Sequence, residues 1–425
     1  MFVTIRQRNF ALLWFAGLIS LAGDWTLRVA LPIYVYQLSG STLATSAMLM
    51  AGMLPRLLFG SVAGVFVDRW DRKRTMVLAN LLMAVGLLPL LAVRSADQLW
   101  LIYVVALVEA TIAQFFGPAE NALLPRLVPE EHLIAANSLN ALNNNLARLV
   151  GPALGGVAAA LVGLAGVALI DAASFLIAGL LIALISGQYT ATEESQTKAP
   201  ATVTSAWAKV WHEWLAGLQL IARNRTLVVI FGLEAITSLG EGVFGVLFVV
   251  FVNKILSGGA QEIGWLMSAQ AIGGLLGGLL VGWLGARFTP VRLAGIGTIL
   301  FGLIDLAIFN YPRFSPEFLP ILALFVVVGV PGVIGMTGVN TLLQTVVADE
   351  FRGRVFGAIG MVASLMALIG LTLAGVIGDR VGVITVLNIQ GAGYIVAGLM
   401  VLALLRGSAR HARAAEQSSL MVDNV

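Results

Sequence analysis

The chain has 425 residues, 59% of them hydrophobic and 11% charged, with a formal net charge of +3. An ordinary soluble domain carries roughly 25% charged residues, so this balance excludes a soluble globular protein and points to a polytopic membrane protein. Cysteine is absent, which excludes disulfides and thiolate chemistry, and His132, His212 and His411 all fall outside the predicted spans, which argues against a histidine metal site.

A membrane-crossing helix needs about 20 mostly apolar residues. Successive stretches of that kind run over roughly 10–36, 42–67, 75–93, 99–124, 135–161, 164–186, 226–252, 261–284, 291–309, 318–345, 356–378 and 383–405, which makes twelve spans. The opening MFVTIRQRNFALLW carries two arginines before an apolar run that continues to about Tyr36 without a small-residue cleavage site. It reads as a first span rather than a signal peptide. Placing both termini on the cytoplasmic side puts eighteen lysines and arginines in cytoplasmic segments against four outside, with three inside spans. The positive-inside bias therefore sets the orientation.

An ionisable group at mid-bilayer is costly and marks a candidate site with a partner to be named. In span one, Asp24 lies near the middle with Arg28 one turn on. Asp24 is either a proton or substrate site or the structural partner of Arg28. Span two carries Pro55 and Arg56 and leads into Gly64-Val-Phe-Val-Asp68-Arg69-Trp70-Asp71-Arg72-Lys73-Arg74. A carboxylate at a helix end among cations can pin two halves together in one conformation and release them in another; the plainer reading is enforcement of topology. Asp68, Arg69, Arg72 and Lys73 are thus a candidate cytoplasmic latch, with Glu120 near the inner end of span four as partner.

Span four also holds Glu109, a proton-switch candidate that could equally be a helix-packing ion pair. The segment PAENALLPRLVPEEHLIAANSLN, Pro118 to Asn140, leads to an asparagine-rich helix start at Asn137, Asn140, Asn143, Asn144 and Asn145. Amides there suit substrate contact or, more plainly, hydrogen bonds between helices. Span five continues with Arg148 and Gly151-Pro152-Ala-Leu-Gly155-Gly156, where proline frees a carbonyl and the glycines permit close packing. Asp171 in span six is expected near the outer end, in contact with solvent.

The longest loop, 187–224, separates the halves. Its first part, QYTATEESQTKAPATVTS, is polar and linker-like. Its second places Trp207, Trp211, Trp214, Leu218 and Ile221 on one helical face, flanked by Lys209 and Arg223, which suits a helix lying in the cytoplasmic interface. The expected organisation is a first six-helix bundle at 1–186, this linker at 187–224, a second bundle at 225–405 and a cytoplasmic tail at 406–425.

In the second bundle, Glu234 and Glu241 are two turns apart on one face of span seven. Asp305 in span nine is expected near the outer end, solvated like Asp171. Span ten contributes Pro331, Asn340 and Gln344. Sliding the sequence on itself reveals a repeat near 219 residues: Asn121, Leu123, Leu124, Val128 and Glu131 fall on Asn340, Leu342, Leu343, Val347 and Glu350, and Gly151, Gly156 and Gly163 on Gly370, Gly375 and Gly382. A repeat of six spans implies two parallel halves related by an axis along the membrane normal. Glu241 falls close to the repeat position of Asp24.

The loop from Gly64 to Arg74 resembles the GxxxDRxGRR signature of the major facilitator superfamily, and the resemblance covers essentially the whole chain. Asp71 replaces the usual glycine, as in the branch containing macrolide efflux proteins, the enterobactin exporter and lysophospholipid transporters. Gly151 to Gly156 is similar to the GPxxGG signature of exporting members. The resemblance implies an all-α protein of two six-helix bundles, a monomer without cofactor, alternating access, and a cavity lined by spans one, four, seven and ten. Glu234 and Glu241 then become candidate cation or proton sites.

A carboxylate in a low-dielectric cleft can exchange a proton near neutral pH, whereas arginine stays charged. Asp24 and Glu109 are accordingly the proton-switch candidates, with Arg28, Arg56 and Arg148 tuning them or binding an anionic substrate. The leading expectation is proton-coupled export of a small amphipathic compound from a prokaryotic plasma membrane (the inner membrane if Gram-negative), with both termini cytoplasmic. The alternative is a lipid transporter, for instance for lysophospholipids, with no obligatory proton exchange. No HExxH, GxSxG or cysteine pair supports an enzyme, no GxxxxGK[ST] loop supports a nucleotide-driven pump, and no separate domain suggests nucleic-acid binding.

Overall fold

The computed structural model describes residues 2–67, 69–187, 189 and 203–405, with side chains described for all of these except 2, 3, 61, 62, 65, 203–210, 213 and 286. Asp68, residues 188 and 190–202 of the linker, the tail at 406–425 and the side chains of Trp207 and Lys209 lie outside the described residues. Among those described the chain is helical, with no strand. In chain order the long helices are α1 (Arg8–Ser39), α2 (Thr42–Val67), α3 (Arg72–Gly86, continued by a 3-10 turn at Leu88–Ala92) and α4 (Leu99–Leu123). A continuous helix over Leu133–Ala183 follows, then α7 (Val203–Arg223), α8 (Arg225–Val250), α9 (Ala260–Leu284), α10 (Pro290–Asn310), α11 (Phe318–Val346), α12 (Asp349–Val381) and α13 (Val383–Leu404). We number the two limbs of Leu133–Ala183 as α5 (133–162) and α6 (164–183).

Among the described residues, eleven stretches are long and apolar enough to cross a membrane. The 54-residue stretch Glu130–Ala183 is too long for one crossing, and Gly163 breaks it with φ +67° and ψ −176°, a conformation essentially reserved for glycine. Two crossings result, giving the twelve expected from the sequence. One repeat later Gly382, between α12 and α13, has φ +95°. The repeat read from side-chain identity thus returns as the same kind of backbone break between the last two helices of each half.

The chain forms two compact units: Met1–Trp211 with Phe248–Ser268, and His212–Leu247 with Ala269–Val425. In the first, Phe10, Leu13, Met76, Leu123, Leu139 and Ile182 belong to a buried apolar cluster. Lipid tails are as apolar as leucine, so helices associate through close backbone approach and polar ties rather than hydrophobic burial. Both devices join α1 to α5. A Cβ on Gly151 would stand 2.5 Å from the Trp25 side chain and one on Gly155 2.8 Å from the Thr26 Cα. Asn143 Nδ2 donates to the Trp14 carbonyl at 2.9 Å and Trp14 Nε1 to the Leu139 carbonyl at 2.9 Å.

In the second unit, Gly273 and Gly329 bring α9 and α11 into backbone contact, and Gly297 and Gly335 do the same for α10 and α11. Asn310 and Asn388 exchange amide hydrogen bonds between α10 and α13 at 2.7 and 3.2 Å. The amphipathic α7 is partly absorbed into this unit: Ile221 is buried in its core, Trp214 and Leu218 pack against that core, and Gly217 sits on the Arg354 carbonyl. From Trp214 onward the face assigned to the membrane interface therefore meets protein, while Trp211 is exposed.

Candidate functional site

The first unit gathers carboxylates from three helices. Asp24 lies on α1 one residue after Gly23, and a Cβ at Gly23 would overlap Ser174 Oγ and Asp171 Oδ1 on α6. The absent side chain is what lets α1 approach the acid. Asp171 is fully buried, and Ser174 Oγ donates to its Oδ1 at 3.1 Å or to its backbone carbonyl at 2.8 Å. Glu109 on α4 lies over Gly86, where a Cβ would come within 2.8 Å of Glu109 Oε1. Asp24, Glu109 and Asp171 are within electrostatic range of one another, and Arg28 is within range of Asp24 and Asp171. Glu109 Oε1 and Asp171 Oδ2 are buried with no hydrogen-bond partner among the described residues.

Asp171 corrects the sequence-based expectation, which placed it in solvent near the end of its span. Asp305 on α10, expected to be solvated in the same way, is only 3% exposed. Hydropathy alone gives no depth for a single acid in an apolar run. A signal was available for Asp171: Ser174 three residues on, one helical turn away, is a built-in donor.

Among the described residues, Arg28 and Asp24 close no ion pair within 4.0 Å; the Arg28 guanidinium lies 5.7 Å from the Trp25 ring centroid, a cation–π contact. Arg56 and Arg148 are exposed, and neither makes a hydrogen bond or ion pair among the described residues. Glu234 on α8 is partly buried and within electrostatic range of the exposed Glu241. The second unit thus carries acids of its own on α8.

The latch candidates are placed locally. Asp71 caps α3, its Oδ1 accepting the Arg74 N–H at 2.8 Å, so the departure from the glycine of the signature supplies a helix N-cap. Lys73 Nζ donates to the Ile185 carbonyl at 2.6 Å and Arg72 to the Tyr189 carbonyl at 3.4 Å, a placement of cations on the carbonyls that follow the end of α6. Arg69 is exposed beside Trp70, whose ring stacks on Phe115 at 5.8 Å, and Gly64 lies one turn before the end of α2. Glu120 is met by the Asn140 amide and lies near Gly17 and Asn143. Asn140 and Asn143 thus act between helices, while Asn137 and Asn144 bond back to their own helix.

The Gly151-Pro152-Gly155-Gly156 motif has two packed faces. Gly151 and Gly155 face α1, and Gly156 faces the first turns of α9, where a Cβ would overlap the Ala260 carbonyl; Gly264 in turn faces the Pro152 carbonyl. Ser268 Oγ accepts the Ala153 N–H at 3.1 Å, a tie that the sequence reading did not anticipate.

The sequence matches the transmembrane secretion effector family over residues 1–423. The chain belongs to that family, within the major facilitator superfamily. Among the relatives of this chain, the multidrug efflux pump Tap of Mycobacterium tuberculosis is 31% identical, with 87% of each chain covered. Macrolide efflux protein A of Streptococcus pyogenes is 27% identical over 88% of this chain and 90% of its own, and an uncharacterised MFS-type transporter of Bacillus subtilis is 28% identical over 93% of each. The fold is shared with a bacterial homologue of the iron transporter ferroportin (TM-score 0.73, 15% identity, 93% of this chain and 98% of that one). It is shared equally with the nucleoside transporter NupG (TM-score 0.73, 14% identity, 93% and 99%). The protein is a multi-pass membrane transporter with efflux proteins among its relatives.

Proposed function

We propose that this transporter is a proton-coupled exporter of a small amphipathic compound, working by alternating access of its two repeated halves. The observation that carries the reading is the grouping of Asp24, Glu109 and Asp171, with Arg28 in range of Asp24 and Asp171, inside the first unit of a chain related to efflux pumps. Buried acids at the bilayer interior are costly and persist where they exchange a proton or hold a substrate. Two of these acids have an oxygen with no partner among the described residues, and a proton held by the group would supply the missing donor. Inward movement of that proton down its gradient would drive the substrate outward. The distribution of lysine and arginine supports an orientation with both termini in the cytoplasm, and the bacterial relatives support a bacterial plasma membrane. The transporter works as a monomer in this account, with the substrate, protons and the surrounding bilayer as its partners.

A second reading, transport of an anionic lipid such as a lysophospholipid, is favoured by the exposed Arg56 and Arg148, both suited to a phosphate headgroup. Accumulation assays in everted vesicles with macrolides, siderophores and lysophospholipids, with and without a protonophore, separate the two. Uptake of a macrolide-like or siderophore-like compound that the protonophore abolishes is expected. Lysophospholipid uptake indifferent to the protonophore favours the second reading.

A further inference from the structure

Asp305 on α10 is 3% exposed, and its one described partner is Gln390 on α13, whose Nε2 stands 3.4 Å from Asp305 Oδ2. That bond is longer than the usual range for an amide donor to a carboxylate. Gln390 is itself 7% exposed, has its side chain in hydrogen-bonding contact with Tyr394, and has a buried Oε1 with no hydrogen-bond partner among the described residues. Tyr394 bonds the Thr237 carbonyl at 3.3 Å and meets Phe301 edge-on, and Gly240 packs against its ring. Charge around Asp305 is one-sided. The helices α11 and α13 packed against α10 contain no lysine, arginine, histidine or further carboxylate, and Tyr394 is their one titratable group. From α8, which touches α10 through Phe244 and Phe309, the nearby charge is Glu241, within range of Tyr394.

The internal repeat gives this pair its meaning. One repeat length separates Gln390 from Asp171, and Asp305 from Gly86. In the first unit the Gly86 site has no side chain, and the Glu109 carboxylate fills the space, within electrostatic range of Asp171. In the second unit a carboxylate rises from the equivalent backbone position itself and meets an amide where the first has Asp171. Each unit therefore keeps a buried carboxyl group at the same place in its bundle, with an acid as neighbour in one and an amide in the other.

We propose that Asp305 and Gln390 form a second proton-binding site, in which Asp305 takes up and releases a proton and the Gln390 amide turns over to match. With the proton bound, the Asp305 O–H donates to Gln390 Oε1, which satisfies the oxygen now lacking a partner. On release the proton leaves to water, Asp305 becomes a carboxylate, and the amide presents Nε2–H to it, the arrangement seen here. An amide serves both states because its two ends carry opposite hydrogen-bonding character in nearly the same shape. The site deepens the proton-coupled export reading and rests on it for its part in the cycle, but its protonation can be read without any substrate.

The test is an infrared pH titration of the full-length protein in lipid nanodiscs, following the carboxylic-acid carbonyl band in wild type, Asp305→Asn and Gln390→Leu. The expected result is a band that disappears as pH rises in wild type, is missing from Asp305→Asn, and moves to a different frequency in Gln390→Leu. A titration identical in wild type and Asp305→Asn overturns the proposal, as does an Asp305 band indifferent to pH. If Asp305→Asn fails to fold, the Gln390→Leu comparison decides: an unshifted titrating band overturns the assignment. Failure of substrate-driven proton transport with a positive titration would sink the export reading and leave the proton site standing.

Discussion

The backbone of Gly155 rests on that of Thr26: a Cβ on the glycine would lie 2.8 Å from the threonine Cα and 3.0 Å from the Trp25 carbonyl. Neither atom belongs to a side chain that can swing away, so substitution must push α1 and α5 apart. Overpacking of this kind costs about 1–3 kcal/mol, and more where backbone has to move. Gly155→Val is expected to lower the melting temperature in detergent and reduce the monodisperse yield. Gly117→Ala on α4, where a Cβ meets nothing within 4 Å, is the control and should melt like wild type.

Gly163→Ala tests the break that makes one helix into two crossings. At φ +67° and ψ −176° an alanine is strained by about 1–3 kcal/mol. Thermal unfolding should register the loss, and Gly382→Ala, at φ +95° one repeat later, should lose stability in the same direction. Equal melting temperatures for Gly163→Ala and wild type would mean the break does not constrain that residue.

Asp71→Ala removes the side-chain acceptor for the Arg74 N–H and should cost about 1 kcal/mol, the usual worth of an N-cap. Asp71→Asn, which keeps an acceptor oxygen, should recover most of it. Chemical denaturation of the purified protein compares the three, and export by the Asp71→Asn variant should match wild type.

Asp171→Asn keeps the size of the side chain and a bond from Ser174 while removing the exchangeable proton. Proton-driven export is expected to fall by at least about tenfold, the equivalent of ~1.4 kcal/mol, with substrate binding retained. Ser174→Ala, which takes away the Oδ1 donor alone, should have a smaller effect. Full activity in Asp171→Asn would make the residue a packing element.

The twelve crossings were legible because each needs only an apolar run of sufficient length, and the repeat because Gly163 and Gly382 recur at a fixed spacing. Partners were less legible. The sequence makes Glu120 a candidate partner of the arginines after α2; in the structure Asn140 meets it and the described bonds of Arg72 and Lys73 go to carbonyls at Tyr189 and Ile185, because which side chain reaches which depends on helix rotation. The burial of Asp171 and Asp305 is not legible in their own spans for a related reason: the groups they meet, at Gly23 and Gln390, are on neighbouring helices far away in sequence. The close packing that the glycines of the GPxxGG motif permit is seen in their contacts with Trp25, Thr26 and Ala260.

The most direct test of the central claim is substrate-induced proton movement in proteoliposomes under an imposed pH gradient, comparing wild type with Asp24→Asn and Glu109→Gln. Dissipation of the gradient by a transported compound, lost in at least one variant that still binds it, is the predicted result. Transport without proton flux, equal in all three proteins, would contradict the account.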